Sequence, residues 1–376
     1  MVQDPQMVRL IRLRRLRLAM LVLAVAALTP PATADEPKIT VPAGFHVGVF
    51  ASGLGGARFM AVDPAGTLLV SIPRESRVVA LRDQHGRADT PLTVIDGLDR
   101  PHGLAFHQGA LYVAETGRVL RFHYDARTKK ASQPTVIVPN LPRGGTHWTR
   151  TIAFGPDGRL YVSVGSSCNV CREQDPRRAA ILRYEANGSG EHLFASGIRN
   201  AVGIAFHPTT GALWATINER DWRGDDLPPD YITEVKEGGF YGWPECMIVQ
   251  GKAVPDERFA RGDRCPPVAV PAFEIQAHSA PIGLAFYTAK QFPPQYQGSL
   301  FVAYQGSWNR SVPTGYKIVR VTFHDGKAAG IEDFATGWLE GTRILGKLVD
   351  VIVGSDGALY LTVQDSGTIY RFSYGS

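Results

Sequence analysis

The chain has 376 residues, 44% hydrophobic and 20% charged, with 40 glycines and 26 prolines. That composition excludes a disordered or collagen-like chain, and so many turn formers favour a β-rich fold over a helix bundle. Most of the net charge of +5 sits in residues 1–34, where five arginines face one acid; the remaining +1 argues against a nucleic-acid partner.

The first predicted element is a leader. Arg9, Arg12, Arg14, Arg15 and Arg17 precede an apolar run of 11 residues, Leu18 to Leu28, and Ala32-Thr33-Ala34 follows. A basic stretch, a short apolar core and an A-x-A site read as a signal peptide over 1–34, cut after Ala34. The apolar run is short for a bilayer span, which takes about 20 residues. The expectation is export to the periplasm or beyond, without stable membrane insertion, of one domain over 35–376.

That domain is built on a repeat. An apolar–Ala–apolar strand, a turn and a second strand recur as MAVDPAGTLLVS from Met60, LAFHQGALYVA from Leu104 and IAFGPDGRLYVS from Ile152. The unit returns from Ile204, Leu284 and Val351. Turns such as Pro156-Asp157-Gly158 and Ser355-Asp356-Gly357 suit a tight link between antiparallel strands. Further strands follow, such as VLRFHYD after Arg118. Units of several strands at spacings of roughly 40–50 residues are propeller blades. The predicted fold is an all-β, six-bladed β-propeller, with insertions near 218–275 and 305–345.

Four cysteines follow in the chain: Cys168, Cys171, Cys246 and Cys265. In an exported protein they are expected as disulfides, paired as sequence neighbours. A four-thiolate zinc site is the rival, but its second pair would be too widely spaced for a zinc ribbon. Arg172 follows Cys171 where covalent haem attachment needs histidine, so no haem is expected there.

Propeller geometry places the segment before each inner strand on the same face as the loop after the second strand. The leading segments carry Arg58, His102, His147 with Arg150, Arg199 with Asn200, His278, and Lys347 with Asp350. The loops carry Glu115, Ser166-Ser167, Asn218-Glu219-Arg220-Asp221 and Gln305 to Arg310. Titratable groups thus gather at one mouth of the channel. The reading is a largely cationic mouth suited to a carboxylate-bearing ligand. Trp148, Trp222, Trp243 and Trp308 offer faces for stacking on a planar cofactor or sugar, but read first as core or wall packing. Asp225, Asp226 and Asp230 fit an acidic calcium loop or a solvated turn equally well.

Several motifs together resemble the pyrroloquinoline quinone (PQQ)-dependent soluble sugar dehydrogenases, particularly their L-sorbosone dehydrogenase-like branch. They are His147 with Gly155-Pro156-Asp157-Gly158, GIRNAVGIAF from Gly197, NERDWRGDDLPPD from Asn218, GGFYGWPEC from Gly238, HSAPIGLAFY from His278 and GSWNRS from Gly306. The resemblance spans about Val41 to Phe372. It implies PQQ and calcium at the channel mouth, His147 as catalytic base and Arg199 and Asn200 at the quinone. It also implies main-chain oxygens of Glu219-Arg220-Asp221 on calcium, and Lys347 where the family has a cofactor arginine. A family lysine is missing around Gly306, and a second arginine is replaced by Val349. Arg310 and Arg343 are candidate substitutes, and His102 and His278 line the cleft.

The chemistry this implies is oxidation of an aldose or a sorbosone-like sugar aldehyde, and without a haem motif the electrons are expected to leave through a separate acceptor, a cytochrome or a quinone. An imidazole, with its ordinary pKa of about 6.5, suits the proton transfer, and positive neighbours such as Arg150 and Arg199 are expected to lower that pKa. Two competing functions are a calcium-dependent lactonase on a similar propeller, and a propeller that binds a partner without catalysis.

Overall fold

In the computed structural model, which describes residues 37–262 and 264–375, the predicted leader lies outside the described residues. Each repeat unit supplies the two inner strands of an antiparallel sheet. The inner strands are Met60–Val62, Leu104–His107, Ile152–Phe154, Ala201–Phe206, Pro281–Phe286 and Leu348–Val353. Each touches the inner strands before and after it, and Leu348–Val353 returns to Met60–Val62. The sheets therefore close into a six-bladed β-propeller.

Side-chain chemistry explains why the repeat folds this way. In three of the first turns an aspartate folds back on its own backbone: Asp63 accepts from the N–H of Ala65 and Thr67, Asp157 from Arg159, and Asp356 from Ala358. The glycines that follow, Gly66, Gly158 and Gly357, have φ of 85°, 73° and 80°, a region open to glycine without a Cβ clash. Apolar side chains of adjacent sheets interleave. Tyr161 and Ile181 of the third blade pack with Ile204, Leu213 and Ala215 of the fourth. Buried hydroxyls stitch neighbouring blades near the channel: Ser71 donates to His102 O at 2.8 Å, Thr216 to Ile282 O at 2.6 Å and Thr362 to Arg58 O at 2.8 Å.

The ring is closed by a strand outside the repeat. Phe45–Ala51 pairs antiparallel with Thr368–Tyr374 and completes the last blade, so the two ends of the domain share one sheet. The insertion after the fourth blade's second strand lays Gly239–Phe240 beside His192–Ser196 of the third blade and adds the hairpin Cys246–Val249/Lys252–Pro255. Cys246 is bonded to Cys265 and Cys168 to Cys171, the pairing expected from sequence order.

Candidate active site

A cavity of about 180 Å³ opens where the segments before the inner strands of the third to fifth blades converge. His147 comes from the third blade, Arg199 and Asn200 from the segment before the fourth, and His278 and Ala280 from that before the fifth. The insertion contributes Asn218, Glu219, Asp221 and Asp230, and the loop after Leu300–Tyr304 contributes Gln305, Trp308 and Asn309. Gly165 makes the close approach of two of these groups possible. A Cβ there would lie 2.5 Å from Asn200 Oδ1 and 2.6 Å from His147 Cβ.

His147 Nδ1 lies 2.9 Å from both the main-chain oxygen and the hydroxyl of Ser166. The carbonyl can only accept, and the hydroxyl hydrogen already goes to Cys168 O at 2.7 Å. Nδ1 must therefore carry the ring hydrogen, which leaves Nε2 with a free lone pair. Burial, reinforced by the charge of Arg199 and then of Arg150 and Arg178, pushes the imidazole pKa down to about 3. The ring is neutral at physiological pH, and the shift is much larger than positive neighbours alone led to expect.

Arg199 is buried and held by four bonds: Nε to Asn169 O at 2.9 Å, Nη1 to Asn218 O at 3.1 Å, and Nη2 to Asn169 Oδ1 and Asp221 Oδ2, both at 3.0 Å. A guanidinium has five N–H donors, so one remains for a ligand. Asn200 Oδ1 and both amide atoms of Asn309 are buried without a hydrogen-bond partner. Orphaned atoms of this kind carry a cost that a bound polar ligand would relieve.

The acidic side comes from the insertion. Burial pushes Glu219 up to about 7, opposed by the charge of Arg199. Burial likewise pushes Asp230 up to about 6, although its carboxylate accepts from the N–H of Glu219 and Ala280, each at 2.8 Å. His278 Nε2 donates to Gly224 O at 3.0 Å, and its Nδ1 lies 3.9 Å from Asp221 Oδ1. At the outer rim Trp308 and Trp222 are 63% and 69% exposed, and their rings meet edge to face at 5.1 Å. Their two loops are laced together by Ser311 and Arg310 on Asp225, and by Arg310 on Asp226.

The chain matches the TrAA12-like family over residues 39–340. It belongs to that family. The resemblance to PQQ-dependent sugar dehydrogenases therefore holds at the family level. Relatives include an uncharacterized protein of Borreliella burgdorferi, 28% identical over 94% of this chain and 95% of its own length. The aldose sugar dehydrogenase YliI of Escherichia coli is 26% identical over 61% of this chain and 60% of its own. The PQQ-dependent pyranose dehydrogenase of Coprinopsis cinerea is 25% identical over 78% and 46%. The chain thus spans less than two thirds of either of these two dehydrogenases. A calcium structure of Trichoderma reesei carbohydrate-active enzyme family AA12 superposes with a TM-score of 0.81 at 21% identity, covering 92% of this chain and 100% of the other. The PQQ-bound aldose sugar dehydrogenase of Streptomyces coelicolor does so at 0.64 and 23%, covering 89% and 99%. Both likenesses bear on the fold.

In this TrAA12-like propeller, His147, Arg199, Asn200, Glu219, Asp221 and His278 meet in one cavity, as the sequence reading required. Five other expected residues do not line it, among them Arg343, which is exposed on the short strand Arg343–Ile344. His102 is fully buried, with Nδ1 on Arg150 O and Nε2 beside Arg58 Nη2, each at 3.3 Å, so both ring nitrogens are engaged. The Arg220 side chain turns away into a buried ion pair with Asp256. Arg310 is taken up by Asp225 and Asp226. Lys347 is exposed, its N–H bonded to Asp365 at 3.0 Å.

The cationic mouth is also corrected: one guanidinium faces three carboxyl groups in the cavity, because Arg150 is buried against the oxygens of Pro142, His147 and Thr149. Trp222 and Trp308 are exposed rather than in the core, and Trp308 forms part of the cavity wall. Asp230 is neither solvated nor grouped with Asp225, since it opens the strand Asp230–Val235 and points inward. Asn218, Gln305 and Asn309, placed by the sequence reading on channel-face loops without a role of their own, also line the cavity. Val349 is buried with Phe59, Val202 and Ile282, so an apolar cluster stands where the family arginine was expected.

Proposed function

We propose that this protein is an exported quinoprotein dehydrogenase that oxidises an aldose or a sugar aldehyde. The observation that carries the reading is the neutral His147, its Nε2 free, sharing a cavity with Arg199 and with orphaned polar atoms of Asn200 and Asn309.

The residues present fit PQQ and calcium. The remaining N–H of Arg199 and the unpartnered Asn309 Nδ2 can donate, and the unpartnered Asn200 Oδ1 and Asn309 Oδ1 can accept, which suits a polar ligand carrying both carboxylates and N–H or O–H donors. Calcium takes oxygen donors; among the described residues the carboxylates of Glu219, Asp221 and Asp230 line the cavity without gathering as a ligand cluster, so the ion would draw on Glu219 or Asp221 together with main-chain oxygens of the Glu219-Arg220-Asp221 loop. PQQ, when bound, supplies the quinone that accepts a hydride, with calcium as the polarising Lewis acid.

The chain's own residues do the rest. His147 Nε2 takes the hydroxyl proton as the C–H bond of the same carbon gives up its hydride. Ser166 holds the ring in that tautomer. Arg199, fixed by its four bonds, stabilises negative charge that develops beside it. Trp308 and Asn309 form the wall met by an incoming sugar. A cyclic aldose gives a lactone, and a hydrated aldehyde gives a carboxylic acid. The two electrons pass to a separate acceptor.

Adding PQQ and calcium to the purified chain should change the quinone absorbance and support dye-linked oxidation of aldoses. Absence of both, or lactone hydrolysis by the chain without PQQ, overturns the proposal.

A further inference from the structure

The loop that leaves Leu160–Val164 runs Gly165-Ser166-Ser167-Cys168-Asn169-Val170-Cys171, and the Cys168–Cys171 bridge closes it into a tight ring. Asn169 does not line the cavity, yet it makes five hydrogen bonds to residues around it. Its Oδ1 accepts from Arg199 Nη2 at 3.0 Å and from the Asp221 N–H at 2.8 Å. Its Nδ2 donates to Asp221 O at 3.0 Å. Its main-chain oxygen accepts from Arg199 Nε at 2.9 Å and Trp243 Nε1 at 3.3 Å.

We propose that Asn169 is a positioning residue, held in place by the Cys168–Cys171 bridge, that fixes Arg199 and Asp221 in the cavity. The inference rests on the reading that this cavity binds PQQ and oxidises a sugar. An asparagine oxygen can accept two hydrogen bonds and its amide nitrogen can give two. Here the side-chain oxygen and the main-chain oxygen together present a two-point seat to one edge of the Arg199 guanidinium, which fixes its plane as well as its place. The Asp221 main chain is gripped from both sides, through N–H and C=O. The same loop reaches His147, because the Ser166 hydroxyl that accepts from its ring donates to Cys168 O at 2.7 Å.

Two neutral amides and a short covalent ring thus bind together groups from the third blade, the fourth blade and the insertion. The bridge matters because it joins the residues on either side of the Asn169-Val170 pair, which limits the backbone conformations open to Asn169. With the bridge removed, loop entropy opposes every one of the five bonds.

The test compares Asn169→Ala and the double variant Cys168→Ala/Cys171→Ala with wild type, with Cys246→Ala/Cys265→Ala as control for general loss of a disulfide. In the unliganded chain, hydrogen exchange at the Asp221 amide should speed up in the first two and not in the control. With calcium present, PQQ titration should show affinity weakened by roughly 10–100-fold, the usual cost of removing a group that orients a ligand-binding residue. At saturating PQQ, kcat should fall while the sugar KM stays within about twofold, as expected for an interaction that matters in the transition state. A loop that is only structural would lower the melting temperature and leave the PQQ affinity and kcat of the folded fraction unchanged. That result, or unaltered exchange at Asp221, overturns the proposal. Failure of wild type to bind PQQ counts instead against the functional reading, since the exchange measurement needs no cofactor.

Discussion

Replacing His147 with alanine removes one base and little else. The lost bond runs from a ring N–H to a partly buried carbonyl and hydroxyl, and a bond of that kind contributes about 1 kcal/mol to stability. In a domain of this size that shifts the melting temperature by a few degrees at most. The chemical loss is far larger. A positioned general base is worth roughly 10²–10⁴ in rate, which is about 3–5.5 kcal/mol of barrier at 1.36 kcal/mol per decade. His147→Ala should therefore bind PQQ and fold nearly as wild type, and turn over aldose roughly 10²–10⁴ more slowly in a dye-linked assay.

The pH dependence sharpens the test. The folded pKa is depressed, so the ring gains its proton only as pH falls toward about 3. Above that it stays neutral and competent, and its ¹⁵N resonances in the unliganded chain should not titrate between about pH 5 and 8, where an ordinary histidine does. An unfolded chain would protonate the same ring near pH 6.5. The stability held above that value is thus lost as pH falls, and His147→Gln should be the less acid-sensitive protein. If His147→Ala at saturating PQQ and calcium keeps more than about a tenth of wild-type turnover, the assignment of the base is wrong.

Two further outcomes follow from the same cavity. His278→Ala should cost less than roughly tenfold in turnover, because its Nε2 is committed to Gly224 O and its Nδ1 faces a carboxylate; a loss matching that of His147→Ala in steady-state assays would reverse the two roles. Trp308→Ala should raise the sugar KM by roughly three- to tenfold with kcat little changed, the worth of one ring contact equal in ground and transition states, and a normal KM in that variant would remove the rim from the sugar site.

The inner hairpins were legible because each carries its own turn chemistry, and in Asp63, Asp157 and Asp356 the sequence pattern and the hydrogen bonds coincide. The closing strand Phe45–Ala51 was not. It pairs with residues over 300 positions away, and nothing local distinguishes an outer strand of the last blade from an isolated β segment. His147 and Arg199 were found because the residues leading into an inner strand must face the channel. Position alone could not tell which charged groups stay there: Arg150 turns to nearby carbonyls and Arg220 to Asp256. Asn169 was invisible for a different reason. A neutral amide carries no charge pattern, and its importance lies in partners that the fold alone brings within 3 Å.

The charge balance inside the cavity leads to a last prediction. Glu219, Asp221 and Asp230 outnumber Arg199, which already forms an ion pair with Asp221. A ligand with several carboxylates entering this space meets repulsion from the acidic side and only one free arginine N–H on the other. A divalent cation on those oxygens reverses the sign of that wall. Calcium and PQQ should therefore bind cooperatively, each raising the affinity of the other by the same factor. A coupling of roughly 5–150-fold is the ordinary range between linked sites. Titrating PQQ with and without calcium, and calcium with and without PQQ, measures both sides of the cycle. Asp221→Asn should bind PQQ better than wild type when calcium is absent and gain less when it is added. Equal PQQ affinity with and without calcium would mean that the carboxyl wall does not face the cofactor, and the acidic residues would then have to be assigned to the sugar side of the cavity.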